Sequence, residues 1–127
     1  MTKMANPFVH VELNTGDIAR AKSFYGSLFD WKLDDVAIGG GPQTYTIIGV
    51  GETGTGGGMM EHPVPGAQAV WLPYVHVEDI NASTTRAREL GAKITRDVTE
   101  VPGFGWLSII VDPTGAELGL WKAAPST

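Results

Sequence analysis

The chain repeats one strand-and-helix pattern in its second half. The first copy consists of an alternating segment at 8–13, the pair Asp17-Ile18 and a helical stretch. In the second copy, the segment 72–77, the pair Asp79-Ile80 and a helical stretch follow in the same order, and the two Asp-Ile pairs are 62 residues apart. A repeat of this kind predicts two similar modules that share one core, with any ligand held between them.

The composition limits the class of protein to which the chain belongs. Its 127 residues suit one globular domain. A formal net charge of −5 with scattered Lys and Arg argues against a nucleic-acid partner, because affinity for the phosphate backbone comes from clustered basic residues. No apolar run approaches the roughly 20 residues of a membrane helix. The lack of cysteine and of a secretory signal segment favours a cytoplasmic location.

Periodicity predicts two β-α-β-β-β modules, at about 6–61 and 70–122, joined by a linker at 61–67 that contains Pro and Gly. The glycine-rich stretch 49–58 is expected to form a mobile loop. The chain is therefore predicted to be an α+β domain whose modules form a curved mixed sheet around a cup-shaped cavity. The later strands are expected at 31–38, 43–50, 93–98, 105–111 and 116–121, with turns at 39–42, 102–103 and 112–115.

Each module has one predicted helix that follows an aspartate. Asp17 and Asp79 can accept hydrogen bonds from the first backbone N–H groups of their helices. Gly91 is well placed as the residue that ends the second helix. The apolar helix faces are predicted to consist of Ile18, Ala21, Tyr25 and Leu28 in the first module and of Ile80, Ser83, Ala87 and Leu90 in the second.

Three segments resemble the vicinal oxygen chelate superfamily, which includes glyoxalases, extradiol dioxygenases and bleomycin-resistance proteins. They are 17–31, 77–80 and 112–121, and the resemblance extends over essentially the whole chain. It implies the fold described above and a homodimer. In the metal enzymes of this superfamily, it also implies four metal ligands, from the first and last strands of each module.

Most of the ligand positions implied by this resemblance lack a donor atom. The ligand of the first strand, seven residues before the helix aspartate, is His10, but the equivalent residue of the second module is Leu72. Gly119 stands where a carboxylate is implied near the end of the second module, and the last position falls within Gly57-Gly58. A catalytic ion normally takes three or more protein ligands. No metal cofactor is therefore expected.

Strand alternation predicts which residues line the cup and bind a small molecule. In the strand 105–111, Leu107, Ile109 and Val111 are assigned to the helix side, which leaves Trp106 and Ser108 for the cup. Aromatic rings there can stack on a flat ligand, and the acidic residues favour a neutral or cationic ligand over an anionic one. The predicted ligand-binding residues are Phe8, His10, Glu12, Met60, Leu72, Tyr74, His76, Trp106, Ser108, Glu117 and Trp121.

Two functions fit these residues. The first is a metal-free protein that captures a small, partly aromatic compound. The second is an enzyme, in which His10 acts as a general base beside Glu12 in a lyase or isomerase reaction. Within the second hypothesis, a dioxygenase-like enzyme with a displaced divalent metal at His10, Glu12 and Glu117 stays open. Replacing His10 with alanine discriminates the two, because binding should weaken modestly under the first and turnover should vanish under the second.

Overall fold

The computed structural model describes residues 5–38 and 44–125. Within these ranges the order β-α-β-β-β occurs twice, which confirms the predicted α+β class and the predicted repeat. The predicted turn at 39–42 lies outside the described residues. The elements are β1 (Phe8–Thr15), α1 (Ile18–Leu28), β2 (Lys32–Ala37), β3 (Thr44–Gly49), β4 (Gly57–Glu61), β5 (Val70–His76), α2 (Ile80–Glu89), β6 (Lys93–Val101), β7 (Gly105–Val111) and β8 (Glu117–Ala123).

The described chain forms two compact units. The N-terminal unit is His10–Leu72, and the C-terminal unit begins at Pro73 and also contains the residues up to Val9. Two hydrogen bonds join these N-terminal residues to the C-terminal unit. The His76 N–H donates to the Pro7 carbonyl at 2.9 Å, and the side-chain Nδ2 of Asn6 donates to the His76 carbonyl at 2.9 Å. In the part of the chain that the structure describes, neither helix has the length and apolar character needed to cross a bilayer.

In the N-terminal unit, α1 covers one face of a sheet with strand order β2-β3-β4-β1. The strands β1 and β4 run parallel, whereas β3 is antiparallel to both β2 and β4. Leu13, Ile48 and Met59 form the core under the helix. Tyr25 of α1 packs on this core, and its ring centroid lies 5.5 Å from the rings of Trp31 and Trp71. The apolar residues of β1 thus face the helix.

The C-terminal unit repeats this arrangement with α2 and the strand order β5-β8-β7-β6. The strands β5 and β8 are parallel, and β7 is antiparallel to both β6 and β8. The core under α2 consists of Val77, Ile80, Ile110 and Leu120. Each unit therefore has one sheet face that its helix covers and one face that points away from its helix.

The helix ends follow from local residue chemistry. Asp17 Oδ1 accepts the Arg20 N–H at 3.0 Å, and Asp79 Oδ1 accepts the Ala82 N–H at 3.0 Å, which confirms both predicted caps. Gly91 follows α2 with φ of +101°, a left-handed conformation that favours glycine. The Ala92 N–H then donates to the Ala87 carbonyl at 3.0 Å, which completes the glycine-terminated helix end.

The prediction of the apolar helix faces is wrong for the last residue assigned to each face. Leu28 is 57% exposed and Leu90 is 62% exposed. Leu28 is the last residue of α1 and Leu90 is the C-cap residue of α2, so both side chains lie at a helix end and not against the core. In α2, Thr84 is buried at a position that the predicted face omits.

Candidate functional site

His10 and Glu12 lie on the face of β1 that points away from α1. Leu13 packs in the core under the helix, and successive residues of a strand point to opposite faces. His10 is half-buried, and Glu12 is only 7% exposed. A carboxylate so poorly exposed needs strong hydrogen bonds to remain ionised.

Tyr45 of β3 supplies such a bond and joins the two side chains. Its Oη donates to Glu12 Oε2 at 2.7 Å and lies 2.7 Å from His10 Nε2. A phenol has one proton, and an ionised carboxylate can only accept. The Tyr45 proton therefore goes to Glu12, and His10 Nε2 carries a proton that it donates to Tyr45. This His10–Tyr45–Glu12 chain is the polar centre of the N-terminal unit.

Gly58 makes room for the Tyr45 ring. It pairs with Glu12 of β1 and with Ile47 of β3, so it occupies the same face as the His10–Tyr45–Glu12 chain. A Cβ atom built at Gly58 would overlap Cε2, Cζ and Oη of Tyr45. The hydroxyl end of Tyr45 thus stands where a side chain at position 58 would begin.

Burial also sets the charge of His10. Desolvation lowers the pKa of the His10 imidazole, because a charged ring loses its hydration in this position. A pKa below the usual value favours the neutral ring at pH 7, and its one ring proton is then on Nε2, where it donates to Tyr45.

We expect the free energy of unfolding to depend on pH through His10. An unfolded histidine binds a proton near pH 6.5, whereas folded His10 stays neutral to a lower pH. Between these two pKa values the unfolded chain holds more protons, so stability falls as pH decreases below 6.5 and levels off below the folded pKa. Urea denaturation of His10→Gln from about pH 7.5 to 5 should lack this component. A matched His62→Gln variant should retain it, and equal pH profiles for His10→Gln and the parent chain would contradict the assignment.

The C-terminal unit has a related arrangement on the face away from α2. Tyr74 of β5 pairs with Gly119 of β8, and His76 pairs with Trp121. A Cβ atom at Gly119 would overlap Cγ, Cδ2 and Cε2 of Tyr74, so this ring also covers a glycine. Tyr74 is buried, and His76 and Trp121 are half-buried. Three of the predicted ligand-binding residues thus lie together on one face.

The predicted orientation of Trp106 and Ser108 is wrong. Trp106 packs against the core under α2, and Ser108 is fully buried on the same side. Thr84 Oγ1 donates to the Ile80 carbonyl at 2.7 Å and lies 2.8 Å from Ser108 Oγ. Ser108 therefore donates its proton to Thr84, which satisfies a hydroxyl that would otherwise be costly to bury. Leu107, Ile109 and Val111 consequently take the opposite face.

The other predicted residues are placed as follows. Met60 is half-buried beside Asn14, on the same face as Glu12. Leu72 is buried in β5, whereas Phe8 is 60% exposed and Glu117 is exposed at the start of β8.

Sequence reasoning missed Tyr45, although a signal for it exists. The ligand-binding residues predicted in the first module all lie in its first and last strands, whereas Tyr45 lies in a middle strand, β3. The signal is the pair Gly57-Gly58 in a neighbouring strand, since a strand without side chains leaves space that a large residue of the next strand can fill.

The residues present do not fit the metal centre that the family resemblance implies. Among residues 5–38 and 44–125, no three His, Cys, Asp or Glu side chains come together in a way that could hold an ion. The two donors on β1 are instead both hydrogen-bonded to Tyr45. A catalytic site normally needs three protein ligands and an open position.

The twofold order β-α-β-β-β is that of a glyoxalase-type domain, and comparisons with known proteins agree. The model of the Glyoxalase/Bleomycin resistance protein/Dioxygenase superfamily matches residues 8–120. The chain therefore belongs to this superfamily, as the sequence resemblance predicts.

Two proteins that are similar to this chain are longer than it. CFP32 of Mycobacterium tuberculosis (strain CDC 1551 / Oshkosh), a protein provisionally named a glyoxylase, is 35% identical over 115 residues, which cover 89% of this chain and 44% of CFP32. The anthracycline biosynthesis protein DnrV of Streptomyces peucetius is 26% identical over 126 residues, which cover 87% of this chain and 45% of DnrV. The chain thus spans less than half the length of these relatives.

A solved structure shows the same fold. Methylmalonyl-CoA epimerase from Mycobacterium tuberculosis aligns with a TM-score of 0.71 and 14% identity, over 98% of this chain and 94% of the epimerase. At this identity the likeness concerns the fold alone.

Proposed function

We propose that the chain is a metal-free small-molecule-binding protein of the glyoxalase/bleomycin-resistance type. Its ligand binds on the face of the N-terminal unit that points away from α1. The observation that carries this proposal is the His10–Tyr45–Glu12 chain, in which both potential metal donors of β1 hydrogen-bond one phenol at 2.7 Å. Such a group presents polar atoms to a ligand without needing an ion.

The surroundings of this chain favour a partly aromatic ligand without negative charge. Ile47 and Met60 lie on the same face, so apolar surface flanks a few polar groups, as is usual in small-molecule sites. Glu12, which accepts the Tyr45 proton, is the acidic group of this face, while burial lowers the pKa of His10 and disfavours a positive charge there. Because Glu12 is only 7% exposed, its interaction with a ligand charge is weakly screened by solvent. A neutral or cationic ligand is therefore preferred.

A matched series of ligands tests this preference. Naphthylmethylamine, naphthylmethanol and naphthoate share one ring system and differ in charge, and tryptophan fluorescence reports their binding. We expect the amine and the alcohol to bind at least about tenfold tighter than the carboxylate. Glu12→Gln should reduce the preference for the amine over the carboxylate, while Glu117→Gln, at an exposed position of β8, should leave it unchanged. A parent chain that binds only the carboxylate would refute the proposed ligand class.

A second candidate function is proton transfer, in a lyase or an isomerase. The specific observation in its favour is that Tyr45 connects His10 to Glu12 through two short hydrogen bonds, along which a proton can pass. The lowered pKa of His10 keeps its imidazole neutral and able to accept a proton at pH 7. A nuclear magnetic resonance assay in D₂O, with carbon acids next to a carbonyl group, would detect exchange. Under this hypothesis exchange should vanish in His10→Ala, whereas a pure binding protein shows no exchange and only weakened binding.

A further inference from the structure

Asn14 is a buried polar residue of β1, and no described residue hydrogen-bonds its side-chain amide. It is only 7% exposed. Each of the other buried polar side chains in the described ranges has a hydrogen-bond partner, and these residues are Glu12, Thr15, Thr46, Thr84 and Ser108. Buried polar groups of native proteins are normally paired. The amide of Asn14 is therefore available to bind a group from outside the chain.

The Asn14 amide lies on the face proposed for the ligand. Leu13 packs in the core under α1, so its neighbour Asn14 points to the opposite side, as Glu12 does. In the described part of the chain, no polar side-chain atom is both fully buried and unpaired, so the amide atoms of Asn14 retain some contact with solvent. Residues two apart on a strand are about 6–7 Å apart at their Cα atoms. One small molecule can therefore contact both Asn14 and the His10–Tyr45–Glu12 chain.

The chemistry of this side chain defines the group that it would recognise. A primary amide has a carbonyl acceptor and an N–H donor side by side. Because both are unused within the described chain, the complementary group has a donor and an acceptor on one edge. The cis amide of a lactam or a carboxamide has this arrangement. An ester of the same shape has no donor, so it would leave the Asn14 carbonyl unpaired in a place with little water, which is costly.

We propose that Asn14 is a ligand-binding residue that selects an amide, and that the ligand is a neutral aromatic lactam or carboxamide. The amide edge of the ligand pairs with Asn14. Its ring lies on Met60, which pairs with Asn14 in the sheet and whose thioether makes favourable contacts with aromatic rings. This inference rests on the proposed binding function, because it names the class of ligand for the same site.

The test compares the binding of 1-isoquinolone and isocoumarin. The two compounds have the same bicyclic shape, and the lactam N–H group of the first is a ring oxygen in the second. We expect the parent chain to bind 1-isoquinolone roughly tenfold tighter than isocoumarin, as measured by calorimetry, because only the lactam can donate to the Asn14 carbonyl.

Variants assign this preference to one side chain. Asn14→Leu keeps a similar size and removes both hydrogen-bonding groups, so the two compounds should then bind equally. The matched control is Asn81→Leu at an exposed position of α2, which should keep the full preference. Met60→Ala should weaken the binding of both compounds and leave their ratio unchanged.

The outcomes separate this inference from the proposed function. If the parent chain binds naphthylmethanol but binds 1-isoquinolone no tighter than isocoumarin, the amide selection is refuted and the binding function stands. A preference that survives in folded Asn14→Leu likewise refutes the role of Asn14 alone. If neither these two compounds nor the naphthalene series binds, both proposals are refuted.

A measurement on the parent chain keeps the inference testable if Asn14→Leu fails to fold. In nitrogen-15 spectra, the side-chain NH₂ signals of Asn14 should shift when 1-isoquinolone is added, because they gain a hydrogen bond to the lactam carbonyl. The NH₂ signals of Asn81 should stay in place. Asn14 signals that do not move at saturating 1-isoquinolone would overturn the inference.

Discussion

Replacing Gly57 with alanine is expected to lower the free energy of unfolding by about 3 kcal/mol, and no substitution of a neighbouring side chain should restore it. A Cβ atom at Gly57 would overlap the backbone carbonyl oxygen of Val11, the residue with which Gly57 pairs. A backbone carbonyl in a strand ladder cannot move without breaking the pairing of β1 with β4. Both strands contribute to the core under α1, so the damage should extend through the N-terminal unit.

Gly58 offers a matched comparison at the adjacent position. Its Cβ would meet only the side chain of Tyr45 among its three nearest atoms, and a side chain can move. Gly58→Ala should therefore cost about 1–2 kcal/mol, and the cost should shrink when Tyr45→Ala is present in the same protein. Urea denaturation of the single and double variants measures this coupling. Rescue of Gly57→Ala by Tyr45→Ala, or failure to rescue Gly58→Ala, would contradict the packing described here.

Truncation of Met59 to alanine is the second change with a large expected effect, again about 3 kcal/mol of unfolding free energy. Met59 is 0% exposed and packs with Leu13 and Ile48 under α1, so its removal leaves a cavity. Met60 follows it but lies on the opposite face beside Asn14, where it is only half-buried. Met60→Ala should therefore cost about 1 kcal/mol.

The two methionine substitutions should affect ligand binding in the opposite order to their effects on stability. Met60 lies on the face proposed for the ligand, and Met59 does not. Fluorescence titration with naphthylmethanol should show weakened binding in Met60→Ala and unchanged binding in folded Met59→Ala. If Met59→Ala loses binding while it is still folded and Met60→Ala does not, the ligand face has been assigned to the wrong side of the sheet.

The sequence predicts the fold well because its strongest signals are local. Asp17 and Asp79 cap helices that begin 62 residues apart, as the repeat predicts. A helix cap and its first turn involve residues only three apart, so a single sequence contains all the information needed. The alternation of β1 also places His10 and Glu12 on one face, because its apolar and polar positions differ clearly.

The sequence-based predictions fail where the two faces of a strand carry similar residues, or where two contacting residues are far apart in the sequence. The strand β7 has apolar residues on both faces, so alternation cannot decide its orientation. Ser108 is polar, so alternation assigns it to the face that the helix does not cover. It lies instead on the helix side, where it hydrogen-bonds Thr84, a residue 24 positions away in the sequence. Tyr45 is likewise 35 residues from His10, and nothing in its own strand indicates this contact.

The overlap between Tyr45 and position 58 also constrains how such a chain can change over generations. A tyrosine at 45 can take its present position only when 58 has no side chain, because the ring and a Cβ atom claim the same space. Any ancestor with a side chain at 58 must have lost it before, or together with, the gain of this ring position. We therefore expect the two residues to change together, because a chain that regained a side chain at 58 would have to move or replace the tyrosine ring.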